Sequence, residues 1–298
     1  MNLHLRQKAF EPAITLAKLG NFAGARDHML RVNTKFKDCF DFHFYLGSIY
    51  FYLGDWANAA HYLYLSTRYT EKSNSPYFML GLAHLNQEQF TEAVKWLSEA
   101  VRIDSNNPDA HNELGCALEG LKRFDDAISS FDLASSLDDN FKDPRNNKGI
   151  ILCKFNRYSE AVEAFQMAID IDPTFSVSYL NLALALQLSG NFTSAMKSLN
   201  QSIQLDPKNN FSKWNKSLLL LLFDRYDEAW PLYELRWSST KINDLRDFKE
   251  PLWIGAESIS DKRIFIHAEQ GFGDVIQCAR YLPLLKSMNA RVTFEVPS

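Results

Sequence analysis

Residues 108–141 read PDAHNELGCALEGLKRFDDAISSFDLASSLDDNF. Apolar or small residues recur in it at helical spacing, first at Leu114, Gly115 and Leu118, then at Phe124, Ala127, Phe131 and Ala134. Two helices fit, split near Lys122–Arg123. The pattern returns along the chain. An alanine stands at every 34th residue, at Ala25, Ala59, Ala93, Ala127, Ala161, Ala195 and Ala229. Three residues before each is an aromatic: Phe22, Trp56, Phe90, Phe124, Tyr158, Phe192 and Tyr226. A glycine keeps the same step at Gly47, Gly81, Gly115 and Gly149, then gives way to Ala183 and Ser217. A fixed period of this size means a stack of small identical units. Such a stack grows by addition and needs no central core, so 298 residues do not have to divide into two ordinary domains.

With the glycine numbered 8 and the alanine 20, the units run 6–39, 40–73, 74–107, 108–141, 142–175, 176–209 and 210–243, within an all-α solenoid over 1–243. Small residues at positions 8 and 20 predict close approach of the two helices. Large residues at position 24 (Leu63, Leu97, Phe131, Phe165, Leu199, Tyr233) are expected to fill the space between units. Pro173 and Pro207, each after an aspartate, are expected to stop a second helix, because proline lacks the N–H and clashes with the preceding turn. The pattern resembles the tetratricopeptide repeat family over residues 6–243, more weakly in the first unit, where Ala13 holds position 8. The resemblance implies a right-handed superhelix whose first helices build an inner, concave face that binds a peptide or protein partner.

Net charge is -4 and the basic residues are scattered, which argues against a nucleic-acid partner. Cys39, Cys116, Cys153 and Cys278 form no CxxC pair, as expected of a reduced, cytoplasmic protein. No signal peptide is evident, and the longest apolar run, Leu218–Phe223, is too short to span a bilayer. Neither a cofactor nor a metal-ligand cluster is expected.

In the resembling family, positions 2, 5, 6, 9, 12 and 13 tend to face the groove. Position 6 reads Glu11, Tyr45, Met79, Glu113, Asn147, Asn181 and Asn215. Asparagine inside a helix costs a few tenths of a kcal/mol, so its recurrence invites a reason. An amide both donates and accepts, and a row of amides suits the backbone of an extended peptide. This resembles the asparagine ladder of the O-GlcNAc transferase superhelix; the alternative is solvated polar residues inherited with the repeat. Position 5 reads Phe44, Phe78, Asn112, Asn146, Leu180 and Trp214, with no lysine, so a carboxylate clamp is not expected. Phe44, Tyr45 and Phe78 are candidate peptide pockets or packing between units.

The Leu218–Phe223 run of the seventh unit is apolar on every side, which predicts burial on both faces. Trp230, Trp237 and Trp253 follow nearby. Either a following domain covers this end or the unit is a loosely packed cap.

Residues 244–262 read as a linker, and 263–298 as the start of a Rossmann-like domain. Arg263–Ala268 reads as a buried strand, Gly271 and Gly273 as a tight turn, Asp274 onward as one helix through Leu285, and Arg291–Val296 as a second strand. The turn lacks the third glycine of a dinucleotide fingerprint. Asp274 suits either an N-cap or a base toward an acceptor hydroxyl. The runs YELRW (233–237), PLWIG (251–255) and HAEQGFGDVIQCARYLPLL (267–285) resemble bacterial TPR proteins with a C-terminal GT-B glycosyltransferase-like domain, related in outline to O-GlcNAc transferases and heptosyltransferases. That resemblance makes Asp274 a candidate catalytic base. Glu269, Gln270, Gly271, Gly273 and Arg280 are motif residues without an assigned role. A GT-B enzyme has two Rossmann-like domains, so this sequence is expected to be the front of a longer protein and inactive in sugar transfer as it stands. Two functions follow. One is a TPR module presenting a protein acceptor for transfer from a nucleotide-sugar, which would be a ligand only of the full-length enzyme. The other is a non-catalytic scaffold for protein–protein interaction.

Overall fold

The computed structural model describes residues 3–36, 38–69, 73–239, 250–253, 255, 257–267 and 272–296. Contacts divide it into two compact units, residues 1–235 and 236–298.

The first is a run of helical hairpins. Helix α1 (Leu3–Lys18) pairs with α2 (Phe22–Phe36), α3 (Phe40–Tyr52) with α4 (Trp56–Thr67), and α5 (Ser75–Leu85) with α6 (Phe90–Ile103). Next come α7 (Pro108–Gly120) with α8 (Phe124–Leu137), α9 (Lys142–Lys154) with α10 (Tyr158–Ile171), α11 (Ser176–Leu188) with α12 (Phe192–Leu205), and α13 (Asn210–Leu222) with α14 (Tyr226–Tyr233). The recurring aromatic opens every second helix. The residue before it caps the helix at Asn21, Asp55 and Asn191, whose side chains accept from Gly24, Asn58 and Ser194 N–H. Arg123, Arg157 and Arg225 hold the same place and pair forward with Asp126, Glu160 and Glu228. Helices α10 and α12 end two residues before Pro173 and Pro207.

The turn inside each hairpin needs one left-handed residue. It is Gly20, Gly54 or Gly190 in three units and Glu88, Lys122, Asn156 or Asp224 in the other four, with φ between 56° and 81°. All seven recurring alanines are fully buried. A Cβ on Gly47, Gly81, Gly115 or Gly149 would come within 2.5–2.8 Å of position 24 of the same unit. The large residue therefore fills the seam inside its own hairpin as well as the space beyond it. Phe131 packs with Leu118 of its own unit and Ile151 of the next.

Beyond the contacts between consecutive helices, first helices touch first helices: α1 with α3, α3 with α5, α5 with α7, α7 with α9, and α9 with α11. No contact of that extent joins successive second helices. The first helices therefore crowd onto the inner side of the stack's curvature.

The last hairpin departs from the rest. Its second helix has 8 residues with Pro231 inside, against 12 to 15 in the other units. The expected burial of Leu218–Phe223 on both faces does not hold. Leu219 and Leu220 are buried, but Leu222 and Phe223 are exposed. Helix α13 ends at Leu222, and its final residue lies outside the hairpin seam, as does the exposed Leu188 that ends α11.

In the second unit α15 (Arg236–Ser239) is followed by β1 (Arg263–Ile266), α16 (Phe272–Ala279), α17 (Leu282–Ser287) and β2 (Arg291–Phe294). The strands pair in parallel, Arg263 opposite Arg291 through Ile266 opposite Phe294. Among the described residues these are the only strands. Two strands of four residues do not make a Rossmann-like sheet, so that expectation is not met. Nor is β1 buried, since exposed and half-buried residues alternate along it. The single helix expected from Asp274 is two, broken at Arg280–Tyr281, because Pro283 supplies no N–H and belongs in a first turn. Residues 257–262 are tied to this unit by Asp261 N–H to Asn289 O, by Arg291 N–H to Lys262 O and by the buried Ile259. Among the described residues no helix is long and apolar enough to cross a membrane.

Candidate functional site

Positions 5 and 6 are neighbours on each first helix, and stacking brings position 6 of one unit beside position 5 of the unit before. In the fourth to sixth units this joins four asparagines and a glutamate. Asn181 Nδ2 donates to Asn146 Oδ1 at 2.9 Å. Asn146 Nδ2 reaches Asn147 Oδ1 at a longer 3.4 Å. Asn147 Nδ2 donates to Asn112 Oδ1 at 3.2 Å, and Asn112 Nδ2 to Glu113 Oε1 at 3.1 Å. Every step runs the same way, from α11 across α9 to a carboxylate on α7. Ser178 Oγ adds a second donor to Asn146 Oδ1 at 3.0 Å, and Cys116 Sγ lies 3.6 Å from Asn147 Nδ2. Asn112 and Asn146 are buried, while Glu113, Asn147 and Asn181 are half-buried.

Burial pushes the Glu113 carboxyl above its ordinary value; the Asn112 hydrogen bond opposes this, and the charges of Asp109 and Asp143 add to it. The Cys116 thiol is pushed up to about 12, by burial first and then by Glu113, Glu119 and Asp143, so it is held protonated and is a poor nucleophile. On the same face Lys154 is tied to Glu119 at 2.6 Å.

Asn215 holds the same repeat position but stands apart from this chain. It is buried and donates to Phe211 O of its own helix at 2.8 Å. Trp214 beside it packs on Phe211 with ring centroids 5.5 Å apart, and its Nε1 is buried without a hydrogen-bond partner among the described residues. The early aromatics pack between units. Phe44 stacks on Phe40 and leans on the core around Leu63 and Leu80. Tyr45 meets Phe10 edge-on at 6.1 Å, and Phe78 lies against Ala93, Leu97 and Ala117.

Of the C-terminal motif, Glu269, Gln270 and Gly271 lie outside the described residues. The backbone of Gly273 and Asp274 falls in the first turn of α16, and the Asp274 side chain also lies outside. Arg280 is exposed and engages Tyr281, donating to its hydroxyl at 2.7 Å.

The sequence puts Asn112 and Asn146 at position 5 without marking them as partners of the position 6 row, and it does not mark Ser178. The signal was the Asn112–Glu113 and Asn146–Asn147 pairs repeating at 34 residues. Nor does the sequence mark a depression of about 490 Å³ lined from α4, α5, the turn after α5, and α6, by His61, Tyr64, His84, Gln87, Glu92 and Trp96 among others. Its aromatic rim already carries cations, with Lys95 Nζ 4.6 Å from the Trp96 ring centre and Arg68 over Tyr64.

Stacked hairpins with buried small residues at fixed positions define an α-solenoid. Over residues 11–209 its units match tetratricopeptide repeats: a model described as TPR repeat matches residues 81–122, and models described as tetratricopeptide repeat match 11–76, 112–174 and 177–209. No curated protein matches the chain. Among solved structures, the C-terminal part of a TPR repeat-containing protein from Cytophaga hutchinsonii aligns with TM-score 0.61 and 15% identity, covering 80% of this chain and 100% of that one. The pilF protein of Pseudomonas aeruginosa aligns with TM-score 0.59 and 20% identity, covering 67% and 91%. YrrB, described as a TPR protein with an unusual peptide-binding site, aligns with TM-score 0.51 and 18% identity, covering 66% and 97%. Likeness at these identities establishes the fold.

Proposed function

We infer that the chain is a protein-interaction module, as its tetratricopeptide repeats indicate. We propose that the inner face of the fourth to sixth units binds an extended peptide segment of a protein partner. The observation that carries this is the row Glu113, Asn147 and Asn181, which spans three units and is held in place by hydrogen bonds between them. Phe44, Tyr45 and Phe78 continue the same helix positions toward the first units, and Trp214 toward the seventh. The unusual peptide-binding site named for YrrB supports a peptide as the ligand class. Fluorescence anisotropy with a labelled peptide library tests it. Asn147→Ala with Asn181→Ala is expected to weaken whichever peptide binds; unchanged affinity would take the row out of the site.

A second reading makes the solenoid the acceptor-presenting part of a glycosyltransferase-like protein that uses a nucleotide-sugar. It rests on the resemblance of residues 233–237, 251–255 and 267–285. Asp274 is its candidate base. Asp274→Ala in the full-length protein should abolish transfer with the fold intact, and retained transfer would remove Asp274 from the mechanism.

A further inference from the structure

The direction of the amide chain decides what chemistry the groove offers. As a carboxylate, Glu113 only accepts hydrogen bonds. Asn112 must therefore turn its NH2 toward Glu113 and its Oδ1 away. That oxygen is met by Asn147 Nδ2, whose other N–H faces Cys116 Sγ. Asn146 in turn spends its Oδ1 on Asn181 Nδ2 and Ser178 Oγ. Along the half-buried row Asn147 spends both its N–H inward, and acceptors are left over: Glu113 Oε2, one lone pair of Asn147 Oδ1, and Asn181 Oδ1. Against these stands one spare N–H on the half-buried Asn181; the second N–H of Asn112 and of Asn146 belongs to side chains that are themselves buried.

Charge points the same way. Asp109 and Asp143 both act on Glu113. The cations of α9 are all engaged elsewhere: Lys142 with Asp172, Arg145 with Phe141 O, Lys148 with Asp132, and Lys154 with Glu119. Helices α7 and α11 carry no lysine or arginine.

We propose that Asn112 and Asn146, as positioning residues locked in direction by Glu113, make the inner face of the fourth to sixth units an acceptor surface that selects a donor-rich peptide, one with lysine or arginine side chains. The inference rests on the peptide-groove reading above and names the chemistry of its ligand. Polar groups fixed this way exclude wrong partners more than they add affinity, because a ligand acceptor placed there loses its water without gaining a donor.

Two measurements test it on the same protein. The first follows the side-chain amide resonances of Asn112 and Asn147 by NMR through an acid titration. Both should move with one midpoint, that of Glu113, and both should stay still in Glu113→Gln. If Asn147 ignores a titration that Asn112 reports, the chain does not transmit polarity and the proposal falls. The second compares labelled alternating Ala-Lys, Ala-Gln and Ala-Glu peptides. The Ala-Lys peptide should bind about tenfold more tightly than Ala-Glu, and Glu113→Gln should remove most of the difference. If Ala-Glu binds as tightly as Ala-Lys, the groove stands and its selectivity is overturned. If none of the three binds, the groove reading falls and takes this one with it.

Discussion

A Cβ on Gly115 would sit 2.5 Å from Cε1 of Phe131, closer than real Cβ contacts come. Phe131 is fully buried and cannot swing away. Gly149 stands in the same relation to Phe165 at 2.6 Å. In the sixth unit Ala183 replaces the glycine and faces the buried Leu199, although Gly47 and Gly81 also face leucines, Leu63 and Leu97, at 2.8 and 2.5 Å. Gly115→Ala is expected to destabilise the solenoid by about 1–3 kcal/mol, as overpacking does. Gly115→Ala with Phe131→Leu, which copies the sixth unit, should recover most of the loss. Urea unfolding reads both, and a single variant as stable as wild type would show that the seam is slack.

The hairpin turns make a second prediction. Lys122 and Glu88 hold left-handed backbone, at φ 60° and 57°, where other units use glycine. A side chain there costs roughly 1 kcal/mol, partly offset by the greater freedom of unfolded glycine. Lys122→Gly and Glu88→Gly should each raise the melting temperature slightly, and Gly190→Ala should lower it. A fall on Lys122→Gly would mean that its side chain contributes more than the turn geometry costs.

How far sequence reasoning reached follows from where the constraint lies. The recurring alanines and aromatics were legible because each answers to one neighbour in a fixed hairpin, so the same demand recurs at every 34th residue. The left-handed turn recurs as strictly, but five different residue types fill it, and only Gly20, Gly54 and Gly190 advertise it. The amide chain was half visible. Asn147 and Asn181 stand out by their period, whereas the part played by Asn112 and Asn146 depends on the offset between stacked units, which sets what touches across 35 residues. The C-terminal unit was least legible. The helical spacing of Val275, Ala279, Leu282 and Leu285 does not show that Tyr281 and Pro283 divide the stretch into two short helices.

Asn147 and Asn215 share a repeat position but not a role. Asn147 Nδ2 crosses to Asn112 of the preceding unit, whereas Asn215 Nδ2 turns back to Phe211 O. Asn215→Ala should cost about 1 kcal/mol of stability, from one lost buried hydrogen bond, and leave peptide affinity unchanged. Asn147→Ala should weaken binding. Calorimetric melting beside anisotropy separates the two effects. Equal losses of affinity would put Asn215 in the groove after all.

Acid should act on the solenoid through Glu113, in a direction opposite to the usual carboxylate. Burial holds this group above its ordinary 4.5, with Asp109 and Asp143 adding to the shift against the Asn112 hydrogen bond. Its pKa is higher folded than unfolded, so between the two values the folded state binds more protons. The stability it confers is complete below the unfolded value and is lost as pH rises through the folded one. Glu113→Gln keeps an acceptor for Asn112 and cannot ionise. It should match wild type near pH 4 and become the more stable protein by about pH 7, with the gap opening in between. Urea midpoints across that range measure it, and a constant gap would mean that Glu113 does not titrate in the window. A bound lysine peptide should close the gap from the other side. A cation beside Glu113 lowers its folded pKa, so the peptide should protect wild type most where the carboxylate is ionised, and should protect Glu113→Gln to the same extent at every pH.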